Sequence, residues 1–257
     1  MNNEILVDKL IEYFINENES LRKYSIPKVY EEKRNFLRGI INIRDHKEIP
    51  DDILKLEDEL LQLELKEKNI VDSKDISPLK DNMCIWRGDI TTIKVDAIVN
   101  AANSALLECF LPNHLCIDNQ IHTYAGIRLR LKCNDIMKGK KEKTADAKIT
   151  PGYNLPSKYV IHTVGPIVYD KLTEHEKKQL EECYISCLSI ARENNIKTIA
   201  FPAISTGVFR FPKDIASKIA VETVSNYLKK YPNSFEKVIF NVYSLEDESY
   251  YDKLLRN

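Results

Sequence analysis

From residue 83 onward, short apolar runs rich in β-branched and aromatic residues alternate with longer stretches of helical periodicity. That alternation limits the fold more than any other feature of the sequence. The runs 83–87, 97–99, 159–164, 197–201 and 238–242 are strand-length. The run 159–164 is closed on both sides, by Pro156 and by Gly165-Pro166. Helices are predicted at 118–132, with Ile121, Ala125, Leu129 and Leu131 inward, and at 173–194, 212–229 and 247–255. Pro212 sits in the first turn of the third, where its missing N–H costs nothing. Strands alternating with helices predict a three-layer α/β/α domain on a largely parallel or mixed sheet. Such sheets bind ligands outside the carboxyl ends of their strands, where Asn103 and the loop 205–209 stand.

Residues 1–75 have a different texture. Ile5, Leu6, Leu10, Ile11, Phe14 and Ile15 recur at helical spacing, and Val29, Tyr30, Phe36, Leu37, Ile40 and Ile41 form a second set. Pro50-Asp51-Asp52 marks a helix start, followed by Leu56, Leu60, Leu61, Leu63 and Leu65 among charges. About three helices are expected, with no chemical motif in them. This N-terminal helical extension reads as a scaffold packed on the main domain or on a neighbour, or as a cover over substrate. The polar stretch 69–78 suggests a boundary, leaving 76–257 as the main domain.

The formal charge of −1 argues against nucleic acid and anionic membranes as partners. No apolar run approaches a membrane span, and the first residues do not look like a signal peptide. A cytoplasmic protein with reduced thiols is expected. Only 7 glycines are present, so any phosphate-cradling loop has to be local. The basic segment 138–143 reads as solvated surface, as does His46.

Cys109, His114 and Cys116 bring two thiols and an imidazole within eight residues. Three soft donors without an evident fourth suit zinc with an open coordination position. The plainer alternative is that the cysteines are small buried hydrophobes. Cys84, Cys133, Cys183 and Cys187 read that way. His122 is expected to be a core residue, and His162, in mid-strand, a structural one.

Five segments together resemble the macrodomain signature set, in order. They are Gly88-Asp89-Ile90-Thr91, the run from Asp96 to Asn103, the run from Thr150 to Pro156, the run from Val160 to Pro166, and the run from Pro202 to Phe209. The resemblance covers residues 80–257 and implies a macrodomain with a mixed central sheet. The stretch from Cys109 to Cys116, followed by Ile117-Asp118-Asn119 and Ile121-His122, resembles the zinc-containing branch, in which a Cys/His insertion replaces a glycine-rich loop and a helical extension precedes the domain. The family's relatives hydrolyse ADP-ribose from modified proteins. The zinc branch is associated with a sirtuin-type transferase and a lipoylated carrier protein.

The resemblance also implies roles. Asp89 would accept from the adenine amine with Ile90 beside it. Backbone amides of Ser205, Thr206, Gly207, Val208 and Phe209 would bind the diphosphate, with Gly207 permitting close approach. Asn103 would hold the distal ribose, Asp118 would orient or deprotonate water, and Zn2+ would sit on Cys109, His114 and Cys116. Local alternatives exist: a turn cap for Asp89, a plain turn for Ser-Thr-Gly, a strand-end amide for Asn103, and a helix cap ahead of Asn119 for Asp118. Two positions depart from the pattern. Glu108 stands where the branch usually has glycine, and Arg210 follows Phe209 where a small residue is common. The leading expectation is a zinc-dependent hydrolase removing mono-ADP-ribose from protein side chains. The rivals are a non-catalytic ADP-ribose reader with structural zinc, a hydrolase of free ADP-ribose derivatives, and an interaction module.

Overall fold

The alternation of side chains along each strand explains the layers. In the computed structural model, which describes residues 2–256, β2 (Met83–Arg87), β4 (Ala97–Ala102), β6 (Tyr159–Val164), β7 (Thr198–Phe201) and β8 (Lys237–Val242) are joined by β5 (Ala147–Pro151). Ala97, Val99, Ile161, Ile199, Phe201, Val238 and Phe240 point to one core. Ile98, Ala102, Val160, Ala200 and Ile239 point to the other. With both faces apolar, each strand needs a helical layer on each side. The helices α6 (Glu174–Glu193), α7 (Lys213–Lys230) and α8 (Leu245–Arg256) cover the first face, and α4 (Ile117–Ala125) and α5 (Ile127–Met137) the second. The strand order is β2-β8-β7-β4-β6-β5. All pairs are parallel except β5 with β6, so the sheet is mixed as expected. A small parallel pair, β1 (Val71–Asp72) with β3 (Ile93–Lys94), lies outside it.

Besides that small pair, which the sequence does not suggest, sequence and structure differ at three places. Strand β5 was not anticipated: its Ala-Lys-Ile-Thr-Pro composition is weakly apolar, and Pro151 is tolerated because the strand is an edge. Strand β4 does not stop at Val99 but runs to Ala102, with Asn100 fully buried in it. The helix expected at 118–132 is two helices, broken at Gly126, whose φ is +92°. Gly126 closes α4 by donating its N–H to His122 O, and α5 starts at the next residue.

The start of α5 shows how the extension docks. Its helices are α1 (Asn3–Glu17), α2 (Tyr30–Ile43) and α3 (Asp51–Glu67), close to the three expected. They share a core of Leu6, Leu10, Phe14, Leu37, Ile40 and Leu60 that also takes in Ile127 of α5. The first amide of α5, Ile127 N, donates to Glu57 Oε2 of α3 at 2.9 Å. A carboxylate from the extension thus caps a helix of the sheet domain. Arg128 adds ion pairs to Asp58 at 2.8 Å and Asp51 at 3.2 Å. No helix among the described residues is long and apolar enough to cross a membrane.

Burial pushes the Glu57 carboxyl from 4.5 up to about 7, against the pull of the Ile127 N–H. The folded chain therefore keeps a proton there that the unfolded chain releases near 4.5. Stability from this group is complete below about pH 4.5 and is lost as pH rises through about 7. Glu57→Gln keeps the acceptor and removes the titration. Between pH 5 and pH 8, urea unfolding of the wild type should lose more stability than the variant does, by up to roughly 3 kcal/mol.

Candidate active site

Strands β4 and β7 are neighbours, yet their following helices leave to opposite faces of the sheet. That topological switch opens a crevice at their carboxyl ends. Four connections meet there: Gly88-Asp89 after β2, residues 103–116 after β4, residues 165–169 after β6, and residues 202–211 after β7.

The connection after β4 holds its shape without a glycine. Leu106, Glu108, Phe110 and Asn113 all have left-handed backbones, with φ of 58°, 74°, 52° and 54°. Such residues cost on the order of 1–3 kcal/mol each and persist only when their surroundings impose them. Here the surroundings do so with hydrogen bonds. Asn103 Nδ2 donates to Glu108 O at 2.7 Å, and Asn103 Oδ1 accepts from Ala105 N at 2.9 Å. From α2 of the extension, Arg38 donates to His114 O at 2.9 Å, and Asn42 Oδ1 accepts from Asn113 N at 3.0 Å. Asn119 Nδ2 reaches Leu111 O at 3.1 Å.

Glu108 is the centre of this arrangement and is only 1% exposed. Its carboxylate accepts from Asn42 Nδ2 at 2.8 Å and Asn119 Nδ2 at 2.7 Å, and pairs with the Arg130 guanidinium of α5. Arg130 in turn donates to the carbonyls of Ile41 and Arg44 at the end of α2. Burial pushes the Glu108 carboxyl up to about 7, and the guanidinium works against that. The side chain is thus committed to the interface with the extension.

Held this way, the loop gathers its donors. Cys109 Sγ lies 3.8 Å from Cys116 Sγ and 3.7 Å from His114 Nδ1. The three donor atoms all lie within 4.8 Å of one another. Zinc–sulfur bonds of about 2.3 Å at a tetrahedral angle put two thiolates about 3.8 Å apart, so the spacing fits. Burial pushes the Cys116 thiol up to about 12, and a bound cation would be needed to favour the thiolate at neutral pH.

Asp118 is in the first turn of α4, directly after this loop. It does not cap its own helix, whose N-cap is Cys116. Instead it accepts from Asn100 Nδ2 at 2.7 Å and from the Asn103 backbone. Burial pushes its carboxyl up to about 6. Asn100 also meets His162 Nδ1 at 3.2 Å, and His162 Nε2 meets Thr150 Oγ1 at 2.9 Å, so His162 is structural as expected. His122 is buried, but neither ring nitrogen has a hydrogen-bond partner, and its Nε2 is 3.6 Å from Asp118 Oδ1.

Across the crevice, the loop 205–209 offers donors. The N–H groups of Gly207, Val208 and Phe209 donate to no acceptor among the described residues, whereas Thr206 N turns back to Ala203 O. Ser205 Oγ is buried and unpartnered. Consecutive free amides form an anion-binding concavity. A Cβ at Gly207 would meet no protein atom within 4 Å, so that face stays open, whereas a Cβ at Gly165 would sit 2.0 Å from Ser205 Oγ. Asp89 Oδ1 accepts from Thr91 N and Thr91 Oγ1 at 2.9 and 2.8 Å, which leaves its other oxygen without a hydrogen-bond partner among the described residues. Ile90 is buried beneath it, and Arg210 is exposed.

The macro domain model matches residues 99–220. A protein-ADP-ribose hydrolase of Treponema medium is 46% identical over 252 residues, covering 96% of both chains. The chain belongs to the macro domain family. A protein-ADP-ribose hydrolase of Staphylococcus aureus (strain MSSA476) is 45% identical over 249 residues, covering 94% of this macro domain chain and 93% of the relative. Among solved structures, a Trypanosoma brucei macrodomain in complex with ADP-ribose superposes with a TM-score of 0.65 at 26% identity, covering 81% of this chain and 87% of that one.

The structure brings Asn103, Cys109, His114, Cys116 and Asp118 to one strand end of the macro domain, with Ser205 to Phe209 following the neighbouring strand and Asp89 following β2. Four contributors escape the sequence: Asn100, which follows an apolar strand run, Gly165, which bounds a strand, and Arg38 and Asn42, which carry no motif of their own.

Removing the partner of a buried guanidinium leaves an uncompensated charge. Glu108→Ala should cost about 3–5 kcal/mol in urea unfolding, and Glu108→Gln, which keeps two hydrogen-bond acceptor sites, distinctly less.

Proposed function

We propose that this macro domain hydrolyses mono-ADP-ribose from modified protein side chains and releases ADP-ribose, with zinc held by Cys109, His114 and Cys116. One observation carries the reading. The three soft donors converge at the strand end that also presents Asn103, immediately before the buried Asp118. The names of the relatives from Treponema medium and Staphylococcus aureus support the hydrolase class.

The free amides at 207–209 bind the diphosphate, so a near-neutral chain holds a dianion through its backbone. Asp89 accepts from the adenine amine through its free oxygen. Asn103 has one amide hydrogen and one lone pair beyond its loop bonds, enough to bridge a ribose hydroxyl. Asp118, fixed by Asn100, takes a proton from the attacking water as the bond between the distal ribose and the acceptor breaks. Zinc, when bound, supplies Lewis-acid stabilisation of negative charge on oxygen at the distal ribose. The acceptor bond we infer is a carboxylate ester, and the acceptor a protein modified by a sirtuin-type transferase, such as a lipoylated carrier. That inference rests on the resemblance of the Cys/His loop. Two thiol ligands suit a reducing compartment, in support of a cytoplasmic location.

A release assay tests this. Incubated with a mono-ADP-ribosylated acceptor, the protein should release ADP-ribose, lose that activity on chelation and regain it with added zinc. Release that survives chelation would remove zinc from the chemistry, and ADP-ribose binding without release would make the protein a reader. In parallel, Cys116→Ala should lose both bound zinc, measured by metal analysis, and turnover. Asp118→Asn should lower kcat about 10²–10⁴-fold while ADP-ribose, followed by calorimetry, still binds.

A further inference from the structure

The loop between α5 and β5 has no part in the chemistry above, yet it borders the site. Because β5 runs antiparallel to β6, its first residue, Ala147, pairs with Thr163 near the carboxyl end of β6. The loop therefore lies at the same edge of the sheet as the crevice. Two backbone bonds fix it there. Ala145 N donates to Val164 O at 2.9 Å, and Glu142 N donates to Ser104 O at 2.7 Å. Ser104 follows Asn103, so the loop is pinned one residue away from the amide assigned to the distal ribose.

Its side chains divide by charge. Glu142 is buried and turns to Lys148 at 2.8 Å. Lys138, Lys140, Lys141 and Lys143 are exposed, and none of their ammonium groups has a carboxylate within 4.0 Å among the described residues. The nearby carboxylates do not cancel them: Asp135 is paired with Lys132, and Asp146 alone stays open. Four unpaired ammonium groups in six residues are a local excess in a chain of net charge −1.

The hydrolase reading determines what passes over this loop. The acceptor is joined to the distal ribose, so the protein segments flanking the modified residue must leave the crevice beside Asn103. On one side they meet the lysine loop, and on the other the Cys/His loop, whose Leu115 is 78% exposed. We propose that Lys138, Lys140, Lys141 and Lys143 dock acidic residues flanking the modified side chain of the acceptor protein. The proposal rests on the hydrolase reading for its occupant and makes no use of the metal. A field concentrated at the mouth of a crevice favours encounter with such a partner and is weakened by salt.

The test uses two short peptides, each carrying one ADP-ribosylated glutamate, one flanked by Asp and Glu and the other by Ser and Gly. Kd is measured in the Asp118→Asn protein, and KM and kcat in the wild type. At low salt the acidic peptide should bind about tenfold more tightly and show a correspondingly lower KM at the same kcat, with the advantage fading above the salt range where exposed charges are screened. Lys140→Glu/Lys141→Glu/Lys143→Glu should reverse the preference between the peptides, and the matching triple Gln variant, which keeps only Lys138, should largely remove it, both melting as the wild type does. Equal Kd for the two peptides at low salt would overturn the proposal, as would a loss that falls equally on both. Preferential binding of the acidic peptide without turnover of either would uphold the docking surface and reject the hydrolase reading.

Discussion

The buried pair of Glu108 and Arg130 ties together three parts of the chain that are distant in sequence. One carboxylate receives the Arg130 guanidinium from α5, Asn42 from the extension and Asn119 from α4. The same guanidinium reaches the carbonyls that end α2. A buried ion pair need not add stability, because desolvation offsets its attraction. What this one contributes is registration. The backbone at Glu108 is left-handed, a conformation that glycine adopts most easily. The satisfied hydrogen bonds of the carboxylate offset the strain.

The crevice gathers polar groups, several of which have no hydrogen-bond partner among the described residues. Three successive amides of the loop after β7 are left over by a turn in which the amides of Thr206, Arg210 and Phe211 bond internally. Ser205 Oγ is left unpartnered where Gly165 lets another loop press against it. Asp118 is held in a low-dielectric position by Asn100, and burial brings its carboxyl toward the range where a proton can be taken and returned.

Much of this was legible in the sequence because strand patterns and signature segments are local. The run from Tyr159 to Val164 is a strand to the residue, and Met83 to Arg87 likewise. The extension's three helices followed from apolar spacing, since a 3.6-residue period is written within one segment. What the sequence hid was relational. Asn100 looks like a strand breaker until Asp118 and His162 are brought to it across 18 and 62 residues. Gly126 was absorbed into one helix because the carboxylate that caps the second comes from Glu57, 70 residues earlier. Arg38 and Asn42 look like solvent-facing polar residues, and only the folded chain shows them against the Cys/His loop.

The left-handed residues of that loop also bear on whether it could be transplanted. Glu108 and Asn113 are held in that conformation by Asn42 of α2, and Arg38 of the same helix fixes the segment at His114. Grafted onto a sheet domain without those helices, the eight residues from Cys109 to Cys116 would carry their donors but not their shape. The loop and the extension therefore move together or not at all: a transplant that leaves the helices behind has to relax the left-handed positions with glycine.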